Sequence, residues 1–281
     1  MIIIEAGGTS TQVVRIQKGS IGPIRSYPGI SPTYMNKADI ASILRVILKA
    51  QDADEDLIYY GAGCSQDSAK LIIKECIQSI HNFGKIEIAS DLLAAARATA
   101  NEKNGQINIL GTGAASCIYK DKTIEQVLFN SGYLFGDYGS GFHLGQSFLR
   151  VYFEGNFDKK IEAEITSFSG VSKQELVGKI YGRKSPKRYI ASFAQCIHHL
   201  KHHPHVNNIV QDSFAKFVQS QIALNPEFKT CLQYFVGSIA YYFSDELAQV
   251  MKASQLKIED ICASPIEKLI GYHMTLSLIH I

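Results

Sequence analysis

Two short segments combine glycine with hydroxyl side chains in a pattern suited to holding an oxyanion: Gly7-Gly8-Thr9-Ser10-Thr11 and Gly111-Thr112-Gly113-Ala114-Ala115-Ser116. Glycine lets phosphate oxygens approach the backbone, where successive N–H groups form an anion-binding nest. Either segment alone would equally suit a hairpin, which uses Gly and Thr for conformational reasons. Two at equivalent positions of a duplicated pattern are far more specific. Standard nucleotide signatures do not account for them. The Walker pattern fails because Gly84-Lys85 and Gly178-Lys179 are each followed by Ile. The segment from Gly111 superficially matches a dinucleotide fingerprint, yet the residues after it alternate like a strand instead of opening a helix. The run His198-His199-Leu200-Lys201-His202-His203-Pro204-His205 places histidines four apart on shared helix faces, as a metal site would. It contains no carboxylate or cysteine, and Pro204 is expected to end the helix there, so it reads as a solvated helix C-terminus.

The elements that must carry these segments follow from hydrophobic period. Residues 2–7, 12–17 and 21–27 are rich in Ile and Val and predict a three-stranded antiparallel meander. Ile40, Ile43, Leu44, Ile47 and Leu48 predict a helix within 36–50. A strand over 56–63, a helix over 68–80, a strand over 86–90 and an Ala-rich helix over 92–100 complete the order βββαβαβα, an α/β layer structure. Near Gln106 the pattern restarts, with strands expected over 107–110, 116–120 and 124–130. The stretch 141–225 is helical by period and reads as an insertion. A strand over 231–236, a helix over 238–252 with Phe235, Ile239, Tyr242, Phe243 and Leu247 as core, a strand over 258–262 and a last helix from Pro265 close the chain.

Of 281 residues, 46% are apolar and 19% charged, as in globular proteins, and the net charge of +2 gives no field for holding a polyanion. Nucleic acid is excluded as an expected partner. The N-terminus lacks a basic leader and a cleavable apolar segment, and no 18-residue apolar run occurs, so a cytoplasmic location without membrane contact is expected. The six cysteines form no Cys-x-x-Cys pair and sit in apolar surroundings, which reads as buried thiols.

The glycine turns, in this order, resemble the actin, Hsp70 and sugar-kinase superfamily. Ser90-Asp91-Leu92-Leu93-Ala94-Ala95-Ala96-Arg97, Ile109-Leu110-Gly111-Thr112-Gly113 and Gly132-Tyr133-Leu134-Phe135-Gly136-Asp137-Tyr138-Gly139-Ser140-Gly141 narrow the match. With Tyr181 to Phe193, Val236 to Tyr241 and Ser264 to Glu267, they resemble the N-acetylglucosamine kinase branch of the BadF/BadG/BcrA/BcrD-type ATPases over nearly the whole chain. The resemblance implies duplicated actin-like (ribonuclease H-like) lobes with an interlobe cleft: residues 1–105, residues 106–264 with the helical insertion, and a C-terminal helix over 265–281 packing back on the first lobe. It implies ATP and Mg²⁺ as cofactors and a small sugar or amino sugar as substrate, with a homodimer as a possible assembly. Carried over residue by residue, Asp91 is the catalytic base and a sugar ligand. Gly8, Thr9, Ser10, Thr11, Gly111, Thr112 and Gly113 take the phosphates, Gly237 and Ser238 the adenosine, Ser31 and Asp137 the sugar. Glu5 faces Mg²⁺ through water. On local chemistry alone, Asp91 could equally be a helix N-cap.

Four positions depart from the family pattern. Glu5 stands for the usual Asp, its extra methylene moving the carboxylate by about 1.5 Å. Ser10 stands for Lys, removing a cation near the phosphates. Tyr138 replaces Glu after Asp137, and Ser31 replaces Asn. The expected function is therefore an ATP-dependent sugar kinase, most similar to N-acetylglucosamine kinases. A catalytically weak sugar- or nucleotide-binding paralogue and an activator-type ATPase of 2-hydroxyacyl-CoA dehydratases are the alternatives.

Overall fold

The computed structural model describes residues 1–17, 19–183, 185–223 and 230–279. The chain forms two compact units: Met1–Lys103 with Asp121–Ile124 and Ser264–Ile281, and Asn104–Lys120 with Glu125–Ala263.

The first unit begins with β1 (Ile2–Ala6), β2 (Ser10–Gln17), β3 (Ser20–Ile21) and β4 (Arg25–Pro28). It continues through α1 (Lys37–Ile47), β5 (Leu57–Gly61), α2 (Asp67–Gln78), β6 (Ile86–Ser90) and α3 (Asp91–Thr99). The sheet order is β3-β2-β1-β5-β6, with β4 also pairing β2. β1 runs antiparallel to β2 and parallel to β5, which is parallel to β6. The strand expected over 21–27 is split: Gly22 turns back to donate its N–H to the Arg15 carbonyl, and Pro23 has no N–H to offer a ladder. The period of two along β1 sends Ile2, Ile4 and Ala6 into one core with Ile40, Leu44 and Ile73 of α1 and α2. Ile3 enters a second core with Ala94 and Ala98 of α3, and Glu5, two residues on, shares that face.

The second unit repeats this plan. β7 (Gly105–Leu110), β8 (Ala114–Lys120) and β9 (Thr123–Val127) are followed by α4 (Gly132–Phe135), α5 (Gly141–Glu154), α6 (Lys159–Ser169), α7 (Lys173–Tyr181), α8 (Pro186–Ser192), α9 (Ala194–Leu200) and α10 (Pro204–Val218). Then come β10 (Gln233–Val236), α11 (Ser238–Tyr242), α12 (Ser244–Ala253), β11 (Ile258–Cys262) and α13 (Ile266–Ile279). The order β11-β10-β7-β8-β9 is the counterpart of the first sheet, with one antiparallel hairpin beside parallel strands. A duplicated α/β fold with a helical insertion is therefore present; residues 184, 224 and 225 of the expected insertion and 280–281 of the last helix lie outside the described residues. Pro204 opens α10 at its first turn, so the histidine run spans a helix junction. The helix expected over 238–252 breaks at Phe243, and the break leaves Tyr242 exposed at 56% while Phe235, Ile239, Phe243 and Leu247 are buried. α13 packs in the first unit. Its His273 Nε2 lies 2.7 Å from the Tyr60 hydroxyl, which accepts from Arg97, itself paired with Glu87. Among the described residues no helix is long and apolar enough to cross a membrane.

Sheet interiors are usually apolar, yet Gln106, Asn108, Ser116 and Gln233 are completely buried in the second sheet. They satisfy one another. Asn108 Oδ1 accepts from Ser116 Oγ at 2.9 Å and from Gln106 Nε2 at 3.1 Å, while its Nδ2 donates to Gln233 Oε1 at 3.1 Å. Removing the hub strands several buried polar groups at once. Asn108→Ala is accordingly expected to lower unfolding stability by about 2–4 kcal/mol in urea titrations; a loss below about 0.5 kcal/mol would show that the ladder is dispensable.

Candidate active site

In the first unit, register places Ala6, Gly61 and Ser90 side by side at the carboxyl ends of β1, β5 and β6. Ligands of open α/β sheets sit beyond such ends. α3 starts directly there, and its N-cap is Ser90, whose side chain accepts from the Leu93 N–H at 3.2 Å. Asp91 is thus free of the capping role that its position alone allows. Its Oδ1 accepts one backbone bond, from Leu92 at 3.0 Å, and burial outweighs that bond, pushing the carboxyl up to about 6. Glu5 is pushed up to about 7, first by burial and then by the neighbouring charge of Asp91. Tyr59 feels both acids and Cys64, expected as a buried thiol, feels Asp91. The Tyr59 hydroxyl is buried without a hydrogen-bond partner, and the Cys64 thiol is pushed up to about 12, chiefly by burial. Five of the six cysteines are buried.

The turn from Gly7 to Thr9 projects from the same end. Gly7 N–H donates to the Ser10 carbonyl at 2.9 Å, and Gly29 N–H to the Thr9 carbonyl at 3.1 Å. Gly29 is glycine for packing: a Cβ there would stand 2.6 Å from the Gly7 carbonyl oxygen and the Thr9 backbone. Gly8 is different. Nothing lies within 4 Å of a Cβ built on it, and its backbone is not left-handed. Thr9 and Ser10 are exposed beside it, whereas Thr11 is completely buried with its hydroxyl unpartnered. Ser31, 7% exposed, sits in the loop before α1, its carbonyl accepting from the Tyr34 and Met35 N–H groups.

The second unit builds a parallel arrangement. Gly111 N–H donates to the Gly113 carbonyl at 3.0 Å, and the Gly111 and Thr112 carbonyls accept from Gly141 and Phe142 at the start of α5. Gly111, like Gly8, has nothing within 4 Å of a built Cβ. Gly237, with φ of 119°, is dictated by packing, because a Cβ would stand 2.4 Å from the Leu110 carbonyl oxygen; Ser238 beyond it is exposed. Asp137 is buried, with Oδ1 accepting from Asn130 Nδ2 at 2.8 Å and Oδ2 from Lys187 Nζ at 2.8 Å. Asn130 lies in no recognised motif, and Lys187, although inside the Tyr181–Phe193 segment, carries no role from the sequence. Tyr138 meets His143 edge to face at 5.0 Å between centroids, so the residue standing for Glu packs instead of presenting a charge. His143 is buried, bonds Ser213 Oγ at 2.6 Å, and is pushed down to about 4, mainly by burial.

A cavity of about 880 Å³ lies elsewhere. It opens at the amino end of β1, among Met1, Arg15, Arg25 and Lys49. Arg15 there is already committed to both Asp52 oxygens and the Ile47 carbonyl. Open glycine faces and partnerless acids locate chemistry better than volume does. Glu5 and Asp91 suit a divalent cation, being two neighbouring half-buried acids whose carboxyls are both pushed up, where added positive charge would be favourable. Among the described residues no cluster of three or more His, Cys, Asp or Glu forms a metal cage, and His203 pairs with Asp158 at 3.1 Å.

Known protein-family profiles do not match the chain. An N-acetylmuramic acid/N-acetylglucosamine kinase from Clostridium acetobutylicum is 29% identical over 143 residues, covering 48% of this chain and 46% of that one. The match thus spans about half the length of that curated relative. A solved structure from Porphyromonas gingivalis, assigned as an N-acetylglucosamine kinase, has a TM-score of 0.90 at 29% identity over 97% of this chain and 98% of its own. A Chromobacterium violaceum protein with the same assignment has a TM-score of 0.71 at 18% identity, covering 96% and 98%. A ROK family glucokinase from Streptomyces griseus, in complex with glucose and AMPPNP, has a TM-score of 0.62 at 13% identity, covering 97% of each. The last two share the fold alone.

The glycines sort into two kinds that substitution separates. Gly237→Ala is expected to cost about 2–4 kcal/mol through backbone collision at an unfavourable φ, whereas Gly8→Ala and Gly111→Ala should stay within about 1 kcal/mol of wild type. Equal losses at all three in thermal melts would contradict the distinction. His143 adds a pH dependence. Its folded pKa of about 4 lies below the unfolded value of 6.5, so its stabilisation is complete above 6.5 and is lost as pH falls toward 4. Between pH 7 and pH 5 wild type should lose about 2 kcal/mol more than His143→Gln. Parallel pH profiles would show that the imidazole is not held neutral.

Proposed function

Starting from a chain that has the fold of the actin-like sugar kinases and resembles N-acetylglucosamine kinases, we propose that it transfers the γ-phosphoryl group of ATP to a hydroxyl of a sugar, with N-acetylated amino sugars the first candidates. One observation carries the proposal: Asp91, relieved of capping by Ser90, stands beside Glu5 at the strand ends where the open face of Gly8 also lies. Asp91 accepts the proton of the attacking hydroxyl. A carboxyl raised to about 6 remains mostly ionised at neutral pH and is a stronger base than an exposed one. As the hydroxyl oxygen bonds to phosphorus, the bond from phosphorus to the bridging oxygen of ADP breaks, and the transition state is loose, so positioning and charge stabilisation dominate. Gly8, Thr9, Ser10, Thr112 and Gly113 present backbone donors and hydroxyls to phosphate oxygens, and Gly111 leaves open space for them to approach. Gly237 and Ser238 offer a surface for adenosine, and Ser31 lines the acceptor side. Mg²⁺, when bound with the triphosphate, supplies positive charge that offsets the phosphate oxygens. Glu5 would hold its water shell. The buried hydroxyl of Thr11 belongs to the floor beneath the turn rather than to its exposed face.

An ADP-release assay over hexoses, amino sugars and N-acetylated amino sugars tests this. With the best acceptor, Asp91→Asn should lower kcat by about 10²- to 10⁴-fold and leave ATP affinity within a few-fold. A variant keeping most of its kcat would place the base elsewhere. Tight binding of sugar and ATP by wild type without turnover would instead favour the paralogue that senses its ligands, in keeping with Tyr138 and Ser10.

A further inference from the structure

Neither glycine turn carries a basic residue of its own between positions 7 and 11 or 111 and 116. A triphosphate nevertheless needs positive charge, and the second unit brings one in from the helical insertion. An ideal Cβ on Gly113 would stand 2.9 Å from Lys187 Nζ and 2.7 Å from Asp137 Oδ2, so the ammonium lies against the turn backbone. We infer that Lys187 is the cation that meets phosphate oxygens at the Gly111–Gly113 turn, and that Asp137 is its positioning residue. The inference rests on the proposed function in one respect, that this turn takes phosphate.

The geometry supports each half. Lys187 stems from the first turn of α8 and is 23% exposed, and its ammonium lies 5.3 Å from the Tyr133 ring centroid. An ammonium has three donors, of which Asp137 takes one, leaving two for a ligand. Asp137 cannot drift. It is 5% exposed, has φ of 51°, and is gripped by Asn130, whose Nδ2 donates to its Oδ1 at 2.8 Å and whose Oδ1 accepts from its backbone N–H at 3.1 Å. Asn130 is in turn tied to the Ala114 carbonyl and the Gly132 N–H. Both Asp137 oxygens are therefore engaged within the unit, one on the brace and one on the amine. A fixed anion behind a lysine holds the lysine's long stem in one geometry, so less freedom is lost when an anion binds.

The test compares ATP with adenosine, which lacks every phosphate, by isothermal titration. Lys187→Gln should weaken ATP by about 10- to 100-fold, the loss of a charge-assisted bond, and leave adenosine within about twofold. Because Lys187→Gln strands a buried carboxylate, the double variant Asp137→Asn/Lys187→Gln, which removes both charges, is measured alongside and should show the same selective loss. Asp137→Asn alone should weaken ATP less, by about 3- to 10-fold, again sparing adenosine. Unchanged ATP affinity in the double variant, or equal loss of ATP and adenosine, overturns the inference while leaving the kinase proposal standing. Wild type that binds adenosine no more weakly than ATP overturns both.

Discussion

Two half-buried carboxyl groups, Glu5 and Asp91, are held close enough at the strand ends of the first unit for one to raise the other. Glu5 is fixed by β1, whose alternation turns it toward α3, and Asp91 is fixed by the immediate passage from β6 into α3. Burial raises both acids, and Asp91 raises Glu5 further. Such a pair is costly in the empty protein and useful once positive charge and a proton donor arrive together. The Ala-rich face of α3, with Ala94 and Ala98 buried, lets the helix approach the sheet closely enough to present Asp91 at its end.

Around the acids, the backbone separates fold from function at individual glycines. Gly29 and Gly237 are required because carbonyl oxygens occupy the space a side chain would need. Gly8 and Gly111 face open space and have ordinary backbone angles, so nothing within the fold explains the lack of a side chain. Both occur just after the first strand of topologically matching sheets, and the proposed phosphate role rests on that correspondence. In the second unit the charge accompanying the turn is supplied by the insertion, through the Asn130, Asp137 and Lys187 chain.

The duplicated α/β plan was legible because Ile- and Val-rich strands alternate with helices of clear period, and because the glycine turns recur at matching places. Breaks inside elements were less so. Pro23 splits a strand and Phe243 interrupts a helix, both local backbone events that periodicity averages over. Asp91 was legible as a residue, but its release from capping depends on Ser90 reaching Leu93, a hydrogen bond that either residue type could have made. Tyr59 and Cys64 hid within apolar runs, and Lys187 was invisible because its partner is 50 residues away in sequence. The place of Asp137 in the turn was legible, the engagement of both its oxygens by Asn130 and Lys187 was not.

Phosphorus NMR of the protein with Mg-ATP and a panel of amino sugars follows the fate of the γ-phosphorus itself. The account predicts that its resonance is replaced by that of a sugar phosphate monoester as ADP appears, with at least one N-acetylated hexosamine as acceptor. ATP left intact with every sugar, or converted only to ADP and inorganic phosphate, would contradict it.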